Sequence, residues 1–180
     1  MNTKYILHGG FKEGIKQENN IFFSEILKGT PQSVKVLIVY FATDNGEKYF
    51  PEDIEQFEKN GEGKNICFQI ANEKEIEKQI YWADIVYLHG GSSLKIIEKM
   101  KQFPDCGLWL SNKIIAADSA GANLLSTNFY SKRNGVCEGT GILPIKFIPH
   151  FDEKNKDKLD NINVGLETVF LREYELKVIE

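Results

Sequence analysis

Eight consecutive residues, Val34-Lys35-Val36-Leu37-Ile38-Val39-Tyr40-Phe41, limit what this chain can fold into. A strand with one wet face alternates apolar and polar residues, because successive side chains point to opposite sides. This run is apolar and rich in β-branched residues apart from Lys35, so it has no face to give to water. It reads as a strand buried on both faces, inside a parallel sheet covered by helices on each side. Parallel neighbours cannot be joined by a hairpin, so the rest of the sequence must supply crossover helices.

The sequence on either side has that alternation. Tyr5-Ile6-Leu7 reads as a strand ending in the turn His8-Gly9-Gly10, and Ile21 to Leu27 has helical spacing that stops at Gly29-Thr30-Pro31. Pro51 to Lys59 opens with proline and acids in its first turn, a favourable helix start. Ile66 to Ile70 is a third strand. Glu73 to Trp82 is a helix with Ile76 and Ile80 on one face. Asp84 to Leu88 is a fourth strand ending in His89-Gly90-Gly91, with Ser92 placed to cap a helix over Ser93 to Phe103. Lys113 to Ala117 is a fifth strand, running through Asp118-Ser119-Ala120-Gly121-Ala122 into a helix over Asn123 to Thr127. The expected fold is α/β, a mostly parallel sheet with helices on both faces.

The last third is more polar. Tyr130 to Gly141 reads as a loop or hairpin, Phe147-Ile148 as a short strand leading to Pro149-His150, and Asp152 to Asp160 as a solvated helix or loop. Val164 to Leu171 and Tyr174 to Ile179 are expected to be strands that close the sheet. Leu-His-Gly-Gly occurs twice, at Leu7 to Gly10 and Leu88 to Gly91, each time after a strand, which points to shared turn chemistry.

Composition narrows the function classes. The 180 residues suit one domain, 1–180. Apolar residues at 42% and charged residues at 27% place the chain among globular rather than disordered sequences. Lys and Arg number 22 against 26 Asp and Glu, a net charge of −4, which leaves no basic footprint for nucleic acid. No apolar run approaches the roughly 18 residues needed to cross a bilayer. Met1 to Gly10 lacks the sections of a signal peptide. Cys67, Cys106 and Cys137 are odd in number and lack metal-ligand spacing, which fits unpaired thiols in a reducing cytoplasm. With only three histidines and no ligand cluster, neither a metal nor an organic cofactor is expected. The sequence does not decide between a monomer and a homodimer.

Ser119 is the most informative residue for chemistry. It lies where an apolar strand meets a helix, among Ala117, Ala120, Gly121 and Ala122. A nucleophile elbow needs small neighbours there, because the serine backbone is held in a strained turn that projects the hydroxyl above the sheet edge. A serine at such a point can equally serve as a plain helix N-cap. Gly90-Gly91 follows the preceding strand, so the N–H groups of Gly91 and Ala120 are candidates for an oxyanion hole. His150 follows Ile148-Pro149, where proline stiffens the approach and suits a general base held in one orientation. A third group should orient the imidazole. Glu167 is the candidate, Asp152 its competitor, and Asp118 beside the serine a further acid.

These residues resemble the peptidase E family of aspartyl dipeptidases and its cyanophycinase relatives, serine hydrolases with a fold similar to class I glutamine amidotransferases. The family elbow is close to Ser-Ala-Gly-Ala-Asn-Leu, present here as Ser119 to Leu124. The family's Gly-Gly-Asn-Thr is matched by Gly90-Gly91-Ser92-Ser93, its Pro-His-Phe/Tyr by Pro149-His150-Phe151, and its Gly-Leu-(Pro)-Glu by Gly165-Leu166-Glu167. The resemblance covers nearly the whole chain. It implies Ser119 as nucleophile, His150 as base, Glu167 as third member, and Gly91 and Ala120 as oxyanion donors. The expected activity is that of a cytoplasmic serine di- or oligopeptidase acting on short peptides, without nucleic-acid or membrane partners. A non-catalytic relative that binds a peptide or small molecule, and an esterase or amidase using the same residues, are the competing readings.

The departures from the family bear on specificity. Asp118 stands where peptidase E has an aromatic residue, and a last family strand is expected to be lacking after Ile179-Glu180. The family's aspartate-reading arginine lies in the segment after the histidine. Here that segment holds Lys154, Lys156 and Lys158, and the only arginines are Arg133 and Arg172. Arginine binds a carboxylate in two places where lysine offers a flexible point charge. Asp-Leu should therefore be hydrolysed with little preference over Ala-Leu at equal concentration. A preference above about a hundredfold, or about 3 kcal/mol, contradicts this and points to Arg133 in the Tyr130 to Gly141 segment as the reader.

Overall fold

A computed structural model describes residues 2–11 and 17–180. In chain order the first half forms β1 (Lys4–His8), α1 (Asn20–Leu27), β2 (Ser33–Val39), α2 (Phe50–Asn60), β3 (Asn65–Ile70), α3 (Ile76–Trp82) and β4 (Ile85–Leu88). The second half forms α4 (Ser93–Met100), α5 (Cys106–Trp109), β5 (Ile114–Asp118), α6 (Ala120–Leu125), β6 (Ser126–Ser131), β7 (Gly135–Glu138), β8 (Leu143–Ile148), β9 (Thr168–Phe170) and β10 (Leu176–Ile179). Short 3-10 turns over Gly46–Tyr49 and Glu153–Leu159 complete the chain.

The main sheet has the order β10-β1-β5-β4-β2-β3. Its first five strands in sequence are mutually parallel, as the apolar runs implied, and β10 lies antiparallel against β1 at one edge. The β2 run shows why it carries so little polarity. Val36 and Ile38 enter one core with Phe22, Phe23 and Phe57 from α1 and α2. Leu37 and Val39 enter the other, with Ile80 of α3, Ile96 of α4 and Leu124 of α6. Each fully buried aliphatic side chain contributes about 1.5–3 kcal/mol relative to exposure, so a polar residue on either face of β2 is costly. The strand stops at Val39 rather than Phe41, because the Thr43 N–H donates to the Tyr40 carbonyl at 3.0 Å and turns the chain out of the sheet.

Three expectations change. Strand β9 does not close the main sheet. It pairs in parallel with β8 in a separate sheet of order β7-β6-β8-β9, where Phe129, Phe147 and Val169 pack into the core shared with α6. The polar stretch after α6, expected as a loop or hairpin, keeps to that expectation as a hairpin of β6 with β7. Helix α6 begins and ends earlier than its sequence suggested, since Thr127 takes part in β6 and its carbonyl accepts the Gly139 N–H at 3.1 Å. Ser92 sits at the N-cap of α4, but its side chain makes no capping bond; its backbone N–H donates to Ala42 O at 2.9 Å instead.

Phe57 is fully buried in the first core, with edge-on contacts to Phe23 at 5.0 Å, Phe68 at 5.7 Å and Tyr87 at 5.9 Å. Phe57→Ala should lower the unfolding free energy by about 3–5 kcal/mol in urea titrations. Leu108→Ala, at a side chain left 73% exposed, should change it by less than about 0.5 kcal/mol.

Candidate active site

Strand β5 delivers Ala116, Ala117 and Asp118, all buried, to the sheet edge, and the next residue breaks the strand. Ser119 has φ +41° and ψ −91°, and α6 starts at Ala120. A non-glycine residue in that region costs on the order of 1–3 kcal/mol and needs surrounding structure to hold it. Two bonds do so: the Ser119 N–H donates to His8 O at 3.0 Å, and its carbonyl accepts the Asn123 N–H at 2.9 Å. Ser119 occupies the N-cap position of α6, yet its hydroxyl caps nothing. It is partly exposed, and its Oγ lies 3.1 Å from His150 Nε2.

His150 reaches that point from β8 through Pro149. Its own φ is +47°, and its N–H donates to Gly9 O at 2.8 Å. The ring lies against Gly10, where a Cβ would stand 2.1 Å from Cε1. The first Gly-Gly turn thus makes room for the imidazole. On the other side, His150 Nδ1 lies 3.6 Å from Glu173 Oε1. That separation is longer than a hydrogen bond, though catalytic contacts often tighten only when substrate binds.

The acid opposite His150 differs from the one expected. Glu167 turns to Lys177 at 2.5 Å and is 63% exposed. Asp152 pairs with Lys132 at 2.8 Å and accepts the Lys154 N–H at 3.0 Å, contacts that hold its carboxyl below the ordinary value. Asp118 is buried against His8 Nδ1 at 2.9 Å. Glu173 lies in the charged stretch Arg172-Glu173-Tyr174-Glu175, with no motif to single it out. It is brought to His150 by the fold-back before β10, where the Tyr174 N–H donates to Gly10 O at 2.9 Å.

Gly91 borders the same cleft as Ser119 and His150. Its φ of +140° lies outside the range of ordinary side chains, and a Cβ there would stand 2.8 Å from Ala42 O. Ala120 is the first residue of α6, so its N–H has no acceptor within the helix. Two cavities flank Ser119. One of about 300 Å³ extends toward α2 and is bordered by Glu52, Asp53 and His89. The other, of about 190 Å³, extends toward the β6–β7 turn and is bordered by Lys132 and Arg133. Among the described residues no group of three or more His, Cys, Asp or Glu could hold a metal ion, and no helix is long and apolar enough to cross a membrane.

The profile of peptidase family S51 matches residues 6–170. The chain belongs to peptidase family S51. Its fold is similar to the crystal structure of a peptidase from an acI-B1 Actinobacterium, with TM-score 0.68 and 19% identity over 100% of this chain and 84% of that one. It is also similar to a putative peptidase E protein from Listeria monocytogenes EGD-e, with TM-score 0.66 and 16% identity over 99% of this chain and 98% of that one. At these identities the likeness is one of fold. No curated protein matches. Membership of family S51 supports a serine peptidase.

Asp53 is the most perturbed carboxyl near the cleft. Burial pushes it up to about 6, while nearby His89 and the Tyr40 O–H···Oδ2 bond of 2.6 Å pull it back. The ordinary value is 3.8, so between about pH 6 and pH 4 the folded chain holds a proton here that the unfolded chain has released. Its buried charge is therefore destabilising above about pH 6, and this penalty fades as the pH falls toward 4. Stability of the native protein relative to Asp53→Asn should rise by about 2 kcal/mol between pH 7 and pH 4, measured by urea unfolding of both proteins across that range.

Proposed function

We propose that this chain is a cytoplasmic serine peptidase that cleaves short peptides, with Ser119 as nucleophile and His150 as general base. The observation that carries this reading is the 3.1 Å contact between Ser119 Oγ and His150 Nε2, made by a serine whose hydroxyl leaves the N-cap position unused. With the imidazole proton on Nδ1, toward Glu173, Nε2 accepts the Ser119 O–H as Oγ attacks the peptide carbonyl. The resulting oxyanion is stabilised by the N–H groups of Gly91 and Ala120. His150 passes its Nε2 proton to the departing amine, then activates the water that hydrolyses the acyl-enzyme. Glu173, rather than Glu167, takes the orienting role and stabilises the imidazolium.

The β6–β7 turn favours short substrates. Arg133 is exposed and has no carboxylate partner among the described residues, whereas Lys132 is paired with Asp152. Arg133 borders the cavity beside Ser119, and a guanidinium there suits the C-terminal carboxylate of a peptide whose leaving portion is one or a few residues long.

A fluorophosphonate probe should label Ser119. Ser119→Ala should abolish labelling and lower peptide hydrolysis by at least about a thousandfold, with little change in unfolding temperature. Gly10→Ala should also lose labelling, because the added Cβ displaces the imidazole. Gly63→Ala, equally at positive φ but with nothing within 4 Å of the new Cβ, should keep it. Well-folded native protein that takes no label would favour a non-catalytic binder. Labelling without hydrolysis across a peptide library would favour an esterase or amidase.

A further inference from the structure

The cavity on the α2 side of Ser119 is bordered by buried polar side chains whose hydrogen bonding the described residues leave incomplete. Asp53 and Gln56 lie three residues apart on α2 and share a face, each buried to within 4% of its surface. Asn19, just before α1, borders the same cavity and is 3% exposed. Gln56 Oε1 and Asn19 Oδ1 are buried without a hydrogen-bond partner among the described residues. Each such atom typically costs about 1–3 kcal/mol, and both amides belong to residues that border the cavity.

The charge of the cavity points the same way. The Tyr40 hydroxyl and His89 Nε2 both address Asp53 Oδ2, at 2.6 Å and 3.7 Å, so among the described residues these contacts fall on one oxygen of the carboxyl. His89 Nδ1 must donate to the Gly90 carbonyl at 2.9 Å, since a carbonyl only accepts. Asp118 is occupied by His8, and Glu52 adds a further, half-buried carboxylate. Among the described residues lining this cavity there is no lysine or arginine. Phe23 and Tyr49 supply apolar wall.

We infer that this cavity is a subsite for a basic side chain, arginine or lysine, on the peptide residue whose carbonyl Ser119 attacks. The inference rests on the peptidase reading. The chemistry is that of an organic cation with several N–H donors and an apolar stem. A guanidinium carries five donors in a planar fork, enough to reach acceptors on opposing walls, and the methylenes pack along Phe23 and Tyr49. A lysine ammonium offers three donors at the same place. The carboxylate of the leaving residue goes to Arg133 across the cleft, which assigns the acyl residue to the acidic side.

The direct probe is agmatine, a decarboxylated arginine, titrated calorimetrically into the whole protein at about pH 8. It should bind, and both Asp53→Asn and Gln56→Leu should weaken it at least tenfold. In hydrolysis, Arg-Leu should exceed its neutral isostere citrullyl-Leu at least tenfold in kcat/KM, and Asp53→Asn should erase the difference. Equal rates for the two dipeptides, or agmatine binding indifferent to both substitutions, overturn the inference. So does a pattern in which Ala-Leu matches Arg-Leu and N-acetylation alone abolishes cleavage, since the cavity then holds the α-ammonium. Fluorophosphonate labelling separates the two readings. A labelled protein that ignores agmatine loses only the basic subsite, and an unlabelled one that binds agmatine loses only the peptidase reading.

Discussion

The cleft depends on β5 lying between β1 and β4. His8 stands beside Asp118 and Leu88 beside Ala117, so three parallel strands end at one level. Parallel strands present their C-terminal ends at a single sheet edge, the place where open α/β sheets bind ligands. Ser119 extends the pairing by one bond, from its N–H to His8 O, before α6 begins. That bond and the helical bond to Asn123 hold its backbone at positive φ. Loss of the β1–β5 register would release both the elbow and the Gly9-Gly10 turn on which His150 rests.

The two copies of Leu-His-Gly-Gly share a turn but have separate tasks. The first ends β1, where His8 is buried, stacked on Phe22 at 4.4 Å and bonded to Asp118, while Gly10 makes room for the His150 ring. The second ends β4, where His89 stacks on Tyr49 at 5.0 Å and faces Asp53, while Gly91 borders the cleft. One histidine thus braces the residue before the nucleophile, and the other braces the acidic wall. Neither is the histidine that meets Ser119.

Charge is divided across the cleft. Asp53 and Glu52 stand on the α2 side, Lys132 and Arg133 on the β6–β7 side, with Ser119 bordering both cavities. The exposed Lys132–Asp152 pair contributes little to stability, since water and salt screen it. The buried Asp53 costs folding energy above about pH 6, with the Tyr40 hydroxyl as its closest compensation. A buried carboxylate kept at that cost, beside unsatisfied Asn19 and Gln56 oxygens, is better suited to binding than to stability.

The sequence by itself determined the parallel strands and the Ser119 turn. Apolar continuity in Val34 to Val39 and Ile85 to Leu88 demands burial on both faces, and small residues around Ser119 permit a strained strand-to-helix turn. Those are local steric and solvation requirements, written in neighbouring residues. His150 was legible through the stiff Pro149 before it and its likeness to a family motif. Only the tertiary structure decided that β9 joins a second sheet, that Glu173 rather than Glu167 faces His150, and that Asn19, Asp53 and Gln56 converge on one cavity. Short strands and isolated acids carry no periodicity to mark their partners. Glu173 reaches His150 only because β10 folds back onto β1, a pairing between the two ends of the chain that no local pattern encodes.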